Sequence, residues 1–452
     1  MHVDVDRLLD ERPISSLQIR VFVLCALVAV LDAVDSVAIG FAAPLIAQEF
    51  GMSPAAFSPA FSAGLFGAAI GAISAGPISD RFGRKPTLVF TTILFGVFTC
   101  LTPLADSFSV LFFYRFIAGL GLGGATPCFI TMAAEYAPAK KRAMLVSLLW
   151  AGYPLGNSVG GFVASYLIPN FHWSMVFYAG GVPTLIIALL LIFFMPESLR
   201  FLAARGTSPQ AARVARQLDP GLPEGGLEFV ARAKAPQAKV PLLDLFMSGR
   251  AGGSLLLGFA LFFGFATTTV IVLQTPTLLR LGADIPLAVS ASLVASYSLV
   301  ATLGMAIAGM LVQKYGVVRA LVIPFVGGAI LVVGLSFFVT SSIPAARGVM
   351  FMLGLTVSLG SSGIIALAAT YYPTVMRSAG TGWVMAMGRF GQVCSPLIIG
   401  LMLALAWHPL RVLAVMAVAP LLAGLCLLFA ANLMPGRVKP TSGAAVAAKE
   451  PA

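Results

Sequence analysis

Charged side chains are scarce in this chain: Asp, Glu, Lys and Arg together make up 10% of 452 residues, where soluble domains average about 25%. A chain this long with so few charges has no means of covering itself with a water-facing surface. A soluble enzyme, a nucleic-acid-binding module and a secreted disulfide scaffold are therefore excluded. Histidine is nearly missing as well, with three residues: His2 at the start, and His172 and His408 in predicted turns. The cysteines (Cys25, Cys100, Cys128, Cys394 and Cys426) all lie in apolar stretches and form no CxxC pair, which argues against a disulfide or metal role. The opening stretch MHVDVDRLLDERPISSLQIR is polar and lacks an apolar core with a cleavage site, so a removable leader is not expected. The one GxSxG pattern, Gly156-Asn-Ser158-Val-Gly160, lies within an apolar run rather than at a strand-to-helix turn, and no HExxH metal site occurs, so no enzymatic activity is expected.

What the chain has is apolar length. Side chains in AVILMFWYC account for 59%, Gly adds 46 residues, and the mean hydropathy is +0.97. About 20 mostly apolar residues cross the hydrocarbon core of a bilayer. Twelve stretches qualify: 20–45, 57–78, 87–105, 109–134, 144–168, 173–195, 252–274, 287–312, 318–340, 345–371, 379–404 and 409–432. The expected fold is an all-α membrane protein of 12 transmembrane helices. Its organisation reads as an N-terminal segment 1–19, a six-helix bundle 20–195, a polar central loop 196–250, a second six-helix bundle 251–432 and a tail 433–452. Of 28 Lys and Arg, only Arg280, Arg347 and Arg411 fall on one side and Arg115 and Arg389 within spans. The remaining cations mark the cytoplasmic side, which places both termini and the central loop inside the cell. The net charge of +11 follows from that bias and calls for no nucleic-acid partner.

The two halves share sequence. AEYAPAKKRA (134–143) aligns with ATYYPTVMRS (369–378), and GPISDRFGRK (76–85) with GMLVQKYGVV (309–318), where both glycines recur. A duplicated half is how many secondary transporters build a central site that opens alternately to each side.

The segment Gly76-Pro-Ile-Ser-Asp80-Arg81-Phe-Gly83-Arg84-Lys85 falls between the second and third spans and closely resembles the GxxxDRxGRK gating loop of the major facilitator superfamily. Its second-half counterpart has Gln313 in place of Asp80. Further segments narrow the resemblance: LDAVD in the first span, GLGLGGATPCFITMAAEYAPAKKR in the fourth, GYPLGNSVGG in the fifth and GTGWVMAMGRFGQVCSP in the eleventh. Together they look like the aromatic acid:proton symporters, bacterial importers of benzoate, hydroxybenzoates and related carboxylates. The resemblance implies the major facilitator fold, an inner-membrane location, a proton gradient as energy source with no cofactor, and function as a monomer. Two departures stand out. Ala33 replaces the glycine usual between the first-span aspartates, and Thr126 and Cys128 flank the fourth-span proline where Met and Asn are common.

Four ionisable residues sit well inside the spans: Asp32, Asp35, Arg115 and Arg389. Charges there are expensive and need a partner or a water-filled path. Asp32 and Asp35, three apart, share a helix face, and two negative charges so close in a poorly polar setting are relieved by taking up a proton. With no histidine available, this pair is the expected proton carrier, and Glu135 at an inner helix end is a lesser candidate. By the rise per residue, Arg115 and Asp35 lie at roughly the same depth, and Arg389 lies near the middle, roughly 14 Å in. Arg115 is expected to pair with Asp35. Arg389, framed by Gly388 and Gly391, offers a planar fork for a substrate carboxylate. Tyr153 and Asn157 on the fifth span, with Trp383 and Phe390 on the eleventh, are candidates to line the ring. The run Gly119, Gly121, Gly123 and Gly124 lies mid-span without a following Lys, so it reads as close helix packing rather than a phosphate cradle. The functional expectation is proton-coupled import of an aromatic carboxylate. Import of a non-aromatic acid and proton-driven export of drugs or metabolites are the alternatives.

Overall fold

The computed structural model describes residues 2–10, 14–138, 141–205, 209–219, 221–223, 228–230, 245–247, 250–372 and 376–433. Within these the chain is almost entirely helical, because a segment in lipid must satisfy its own backbone groups. The first six long helices are α2 (Ser16–Glu49), α3 (Pro54–Phe82), α4 (Arg84–Leu101), α5 (Phe108–Tyr136), α6 (Arg142–Asn170) and α7 (Ser174–Phe194). Serines start two of them. Ser15 forms a reciprocal capping box with Gln18, and Ser53 accepts from the Ala56 N–H just ahead of Pro54, in each case satisfying an otherwise orphaned donor.

The second half comprises α10 (Ala251–Thr269), which runs through a π turn over Val270–Gln274 into α11 (Thr275–Ala283), then α12 (Leu287–Val317), α13 (Ile323–Ser341), α14 (Ile343–Tyr371), α15 (Arg377–Ala404), α16 (Pro409–Val415) and α17 (Val418–Asn432). Eleven of the resulting segments are long and apolar enough to cross a membrane. Helix α6, 29 residues long, packs between α2 of its own half and α12 of the other. It completes the twelve-helix plan among the described residues.

The repeat is visible in backbone geometry. Gly83 (φ 112, ψ 158) separates α3 from α4, and Gly316 (φ 77, ψ 172) kinks the chain at the matching place in the second half. Both positions lie in the positive-φ region that glycine enters without steric cost. Two tyrosines at matching positions close another symmetric pair: the Tyr136 hydroxyl donates to the Glu197 carbonyl (2.6 Å) and the Tyr371 hydroxyl to that of Arg250 (3.4 Å). Pro373 in the second copy and the tail beyond 433 lie outside the described residues, as does the side chain of Gln313.

The first and last described residues and the described parts of the central segment lie on one face of the bundle, here termed the near face, opposite the far face. The central segment, expected as a loop, carries two short helices, α8 (Leu199–Ala204) and α9 (Pro209–Leu218). The buried positions of α9 are Ala211, Val214, Ala215 and Leu218, a spacing that buries one stripe of the helix. These join Val5 and Leu9 of α1 (Val5–Asp10) in an apolar cluster under the first half. A three-residue parallel pairing of β1 (His2–Asp4) with β2 (Glu228–Val230) ties the N-terminal segment to the central one.

The halves are not joined evenly. On the far side one apolar core runs across both, from Val37–Ala47 of α2 to Val270–Leu279 and on to Ala291 of α12. On the near side each half has its own core. Two side-chain hydrogen bonds between the halves, Ser62 to the Val393 carbonyl (3.1 Å) and Ser158 to the Ala295 carbonyl (3.0 Å), lie in the far half of their helices. The glycines of α5 allow its close crossing with α3: a Cβ on Gly119 or Gly123 would fall on the carbonyls of Gly64 and Ala68. The bundle is thus closed on the far side, and the halves part toward the near face.

Candidate functional site

Between the halves lies a cavity of about 540 Å³, open solvent included, lined among others by Asp32, Ser36, Phe61, Arg115, Thr126, Tyr153, Leu273 and Arg389. Helices α2, α3, α5 and α6 of the first half and the π turn after α10 and α15 of the second contribute to it, so any relative motion of the halves reshapes it. Three of the four intramembrane charges line this space.

The two aspartates have different surroundings. Asp35 is fully buried. Its carboxylate receives both arms of the Arg115 guanidinium, Nη1 on Oδ1 and Nη2 on Oδ2 at 3.2 Å each, and the Thr99 hydroxyl donates to Oδ1 at 2.6 Å. The guanidinium also sits 5.7 Å from the centre of the Phe177 ring. This is a neutral, fork-shaped pair that ties α2 to α4 and α5. Asp32 opens onto the cavity and, among the described residues, accepts only from hydroxyl donors, Thr126 at 3.2 Å and Ser36, one turn away, at 3.4 Å. Among the described residues no cation lies within ion-pair distance of it. The positive charge acting on it is that of Arg389 on the opposite half, whose Nη1 donates to Gln392 of its own helix at 3.0 Å.

Of the residues read as ring lining, Tyr153 reaches the cavity, where its hydroxyl interacts with Ser36 and experiences the charges of Asp32 and Arg389. Asn157, one turn further along α6, is buried with its Oδ1 unpartnered but is not part of the lining. Trp383 is turned toward α10, where its indole donates to the Ser254 carbonyl (3.0 Å) and meets the Phe246 ring edge-on. Phe390 is 58% exposed, on the same stripe as Leu397 and Leu401. One residue after Arg389 is a turn of about 100°, which swings it off the cavity-facing side. The lining also includes Phe61, Ser36 and Leu273. Ser36 is foreshadowed by its i+4 spacing from Asp32, whereas nothing in the sequence distinguishes Phe61 from the other phenylalanines.

Glu135 stands apart from this site, on the near face, in a network built by the GPISDRFGRK loop. Arg84 is its hub: Nη2 meets Asp80 (2.8 Å), Nη1 donates to the Ser79 carbonyl (3.1 Å), Nε lies 3.4 Å from Glu135, and the guanidinium covers the Phe201 ring at 5.0 Å. Glu197, two residues beyond the C-cap of α7, accepts from the Arg84 and Lys85 N–H groups at 3.0 and 3.2 Å. A carboxylate at the first N–H groups of α4 complements the positive end of that helix. Burial pushes the Glu197 carboxyl up, and the N–H bonds from Ser198, Lys85 and Arg84 oppose that shift. The Lys85 ammonium reaches the Ile192 carbonyl at 2.8 Å, near the C-terminus of α7. Ser198 donates to Glu135, and Arg205 to the Arg81 carbonyl. Gly76 has open space around it. The loop thus clamps the near-face ends of α3, α4, α5 and α7 into one unit.

A family model described as the Major Facilitator Superfamily matches residues 25–346 and, overlapping it, 255–451. The chain belongs to the major facilitator superfamily. It is a multi-pass membrane transporter, not an enzyme. Among curated relatives it is 33% identical to the gallate transporter of Pseudomonas putida, over 89% of both chains. It is 32% identical to the 4-hydroxybenzoate transporter PcaK of Acinetobacter baylyi, over 96% of this chain and 95% of that one. The fold is shared with a bacterial homologue of the lysosomal transporter Spinster, solved in an inward-facing, occupied conformation. That match has a TM-score of 0.71 at 16% identity and covers 92% of this chain and 97% of the other.

Proposed function

We propose that this transporter imports an aromatic carboxylate together with protons across the bacterial cytoplasmic membrane, with its near face cytoplasmic and the proton gradient as energy source. The observation that carries the reading is the charge count of the central cavity. Arg115 is already neutralised by Asp35, which leaves Arg389 and Asp32 as the charges that decide what enters. With Asp32 ionised the cavity is neutral overall and has no electrostatic preference for an anion. With Asp32 protonated it holds one net positive charge, presented as a guanidinium fork suited to a carboxylate. Proton and substrate thereby favour each other's binding without touching, a coupling between sites that is reciprocal by necessity. Tyr153, Phe61, Ile39 and Leu65 supply an apolar and aromatic wall for a ring, and the named substrates of the two relatives, gallate and 4-hydroxybenzoate, are ring carboxylates. Alternating access rocks the two halves about this site, and the far-closed arrangement described above is one end of that motion. The bias of Lys and Arg toward the near face supports the orientation.

Uptake of labelled 4-hydroxybenzoate by cells expressing the protein, with and without an uncoupler, tests this. An importer accumulates the label and loses it on uncoupling. Raised retention on uncoupling would instead identify an exporter, and competition by aliphatic acids as strong as by benzoates would move the substrate class. Arg389→Lys keeps the charge but replaces the fork by a point. Loss of one charge-assisted hydrogen bond, about 1.5–3 kcal/mol, is expected to raise KM for uptake by roughly ten- to a hundredfold. Unchanged kinetics would return Arg389 to a packing role.

A further inference from the structure

A second, smaller cavity, about 260 Å³ with open solvent included, lies on the far side of the central one, lined among others by Ala47, Phe57, Phe61, Gln274, Thr277 and Leu403. It is bounded by α2 and α3 of one half and by the π turn, α11 and α15 of the other. Phe61 lines both cavities, and Leu273 of the central cavity is followed at once by Gln274 of the outer one. From Asp32 to Ala47 along α2 the rise is roughly 22 Å, so the outer cavity stands above the central site on the path from the far face.

Its polar groups are out of keeping with a mere gap in the packing. Gln274 is 2% exposed and its Nε2 has no hydrogen-bond partner; Thr277 is 6% exposed and its Oγ1 has none. Buried donors are nearly always satisfied, and an exception calls for an explanation. The neighbouring Thr275 hydroxyl shows the usual solution, donating to the Val270 carbonyl at 3.2 Å. That carbonyl also receives the Thr275 N–H across the π turn, a local irregularity often found at functional sites. Opposite the two unpartnered groups stand aromatic rings: Phe57 meets Phe61 edge-on at 6.1 Å and Phe108 at 5.8 Å. The space thus has an amide donor and a hydroxyl at one side and aromatic rings at the other.

We infer that this outer cavity is a docking subsite for the aromatic carboxylate on its way in, in which Gln274 Nε2 and Thr277 Oγ1 donate to the carboxylate while the ring lies against Phe57 and Phe61. The inference rests on the proposed transport of aromatic acids and adds to it a second, sided station. Both halves form its walls, so it widens when they part on the far side and is squeezed when they close, and movement of the Phe61 ring connects it to the central cavity. Without a cation it holds the anion more weakly than the Arg389 site, which favours passage inward over retention.

Sidedness gives the test. Gln274→Leu and Thr277→Val remove the donors while keeping buried apolar bulk, and the valine change, which deletes only a hydroxyl, guards against a variant that fails to insert. KM for 4-hydroxybenzoate is measured in whole cells, where substrate meets the far face, and by counterflow in everted vesicles, where it meets the near face. Each variant is expected to raise the whole-cell KM roughly ten- to a hundredfold, the effect of one lost hydrogen bond to a carboxylate, and to shift the vesicle KM less than about twofold. A KM unchanged in whole cells, or raised equally on both faces, overturns the subsite while wild-type uptake leaves the central reading intact. Absence of aromatic acid transport by the wild type overturns both.

Discussion

Asp32→Asn is expected to abolish uphill accumulation of substrate while sparing exchange. Asn has nearly the shape of a protonated Asp and cannot ionise, so the cavity keeps the net positive charge of Arg389 throughout the cycle. An anion continues to bind and the loaded halves continue to rock. The return of the empty carrier is no longer tied to proton release, and the substrate gradient is decoupled from the proton gradient. Accumulation by energised cells should fall to equilibration with the medium, whereas counterflow of labelled against unlabelled substrate should persist within about threefold of wild type, the scale of a near-isosteric change at a binding site. The result opposed to this is a variant that still concentrates substrate and still loses it on uncoupling. The proton would then travel elsewhere, and the near-face Glu135, bound to Arg84 and Ser198, would be the next group to neutralise.

How much of this was legible from residue order depends on the physics behind each feature. The spans stand out because lipid demands long apolar runs, and the Gly83 and Gly316 turns stand out because only a shared glycine at a fixed offset explains both. The helices of the central segment were hidden: α8 and α9 are six and ten residues long, and their apolar positions have meaning only against α1 and the first half. The π turn before Thr275 carries no sequence mark at all. At the site, the four membrane charges are conspicuous because each is costly to insert. Their division of labour is not. Asp32 and Asp35 lie within about 60° of each other around the helix, yet one faces Thr126 and open space while the other faces Thr99 and Arg115. That distinction belongs to α4 and α5, not to the spacing along α2. The aromatic lining is the least legible part, because an apolar ring against lipid, a neighbouring helix or a substrate satisfies the same local preference. Trp383 was drawn away by one hydrogen bond to Ser254, and Phe61 was brought in by nothing its neighbours in sequence reveal.

The asymmetry of the halves gives the division a reason. Both buried carboxylates, Asp32 facing the cavity and Asp35 paired with Arg115, sit in the first half, and Arg389, to which we assign the substrate carboxylate, in the second, although the halves share a plan. At the repeat offsets of 233 and 235 the positions matching Asp35 are Thr268 and Val270 and those matching Arg115 are Gly348 and Met350, so the second half has no counterpart of the buried pair. A cavity with its acid on one wall and its base on the other is assembled only between the halves, and its electrostatics respond when they move.

The largest structural effect is expected from Arg115→Leu, and it should be rescued in part by a second change. Removing Arg115 leaves Asp35 fully buried with the Thr99 hydroxyl as its remaining donor, and breaking one side of a buried ion pair costs about 3–5 kcal/mol because the surviving charge is uncompensated. Thermal unfolding of the purified protein in detergent should show Arg115→Leu strongly destabilised. In the double variant Asp35→Asn, Arg115→Leu no charge is stranded, and the Asn side chain still accepts from Thr99. Removing both partners of a buried pair is often close to neutral, so the double variant should recover most of the lost stability, and the non-additivity measures the pairing directly. Transport then separates two roles. If Arg115 serves only to neutralise Asp35, the double variant regains coupled uptake along with stability. Recovery of stability with uptake still lost would show that the guanidinium, which also lines the cavity, contacts the substrate, and the cavity's charge count would then have to include it. Equal stability of the single and double variants would mean that the fork seen between Asp35 and Arg115 contributes nothing to holding α2 against α5.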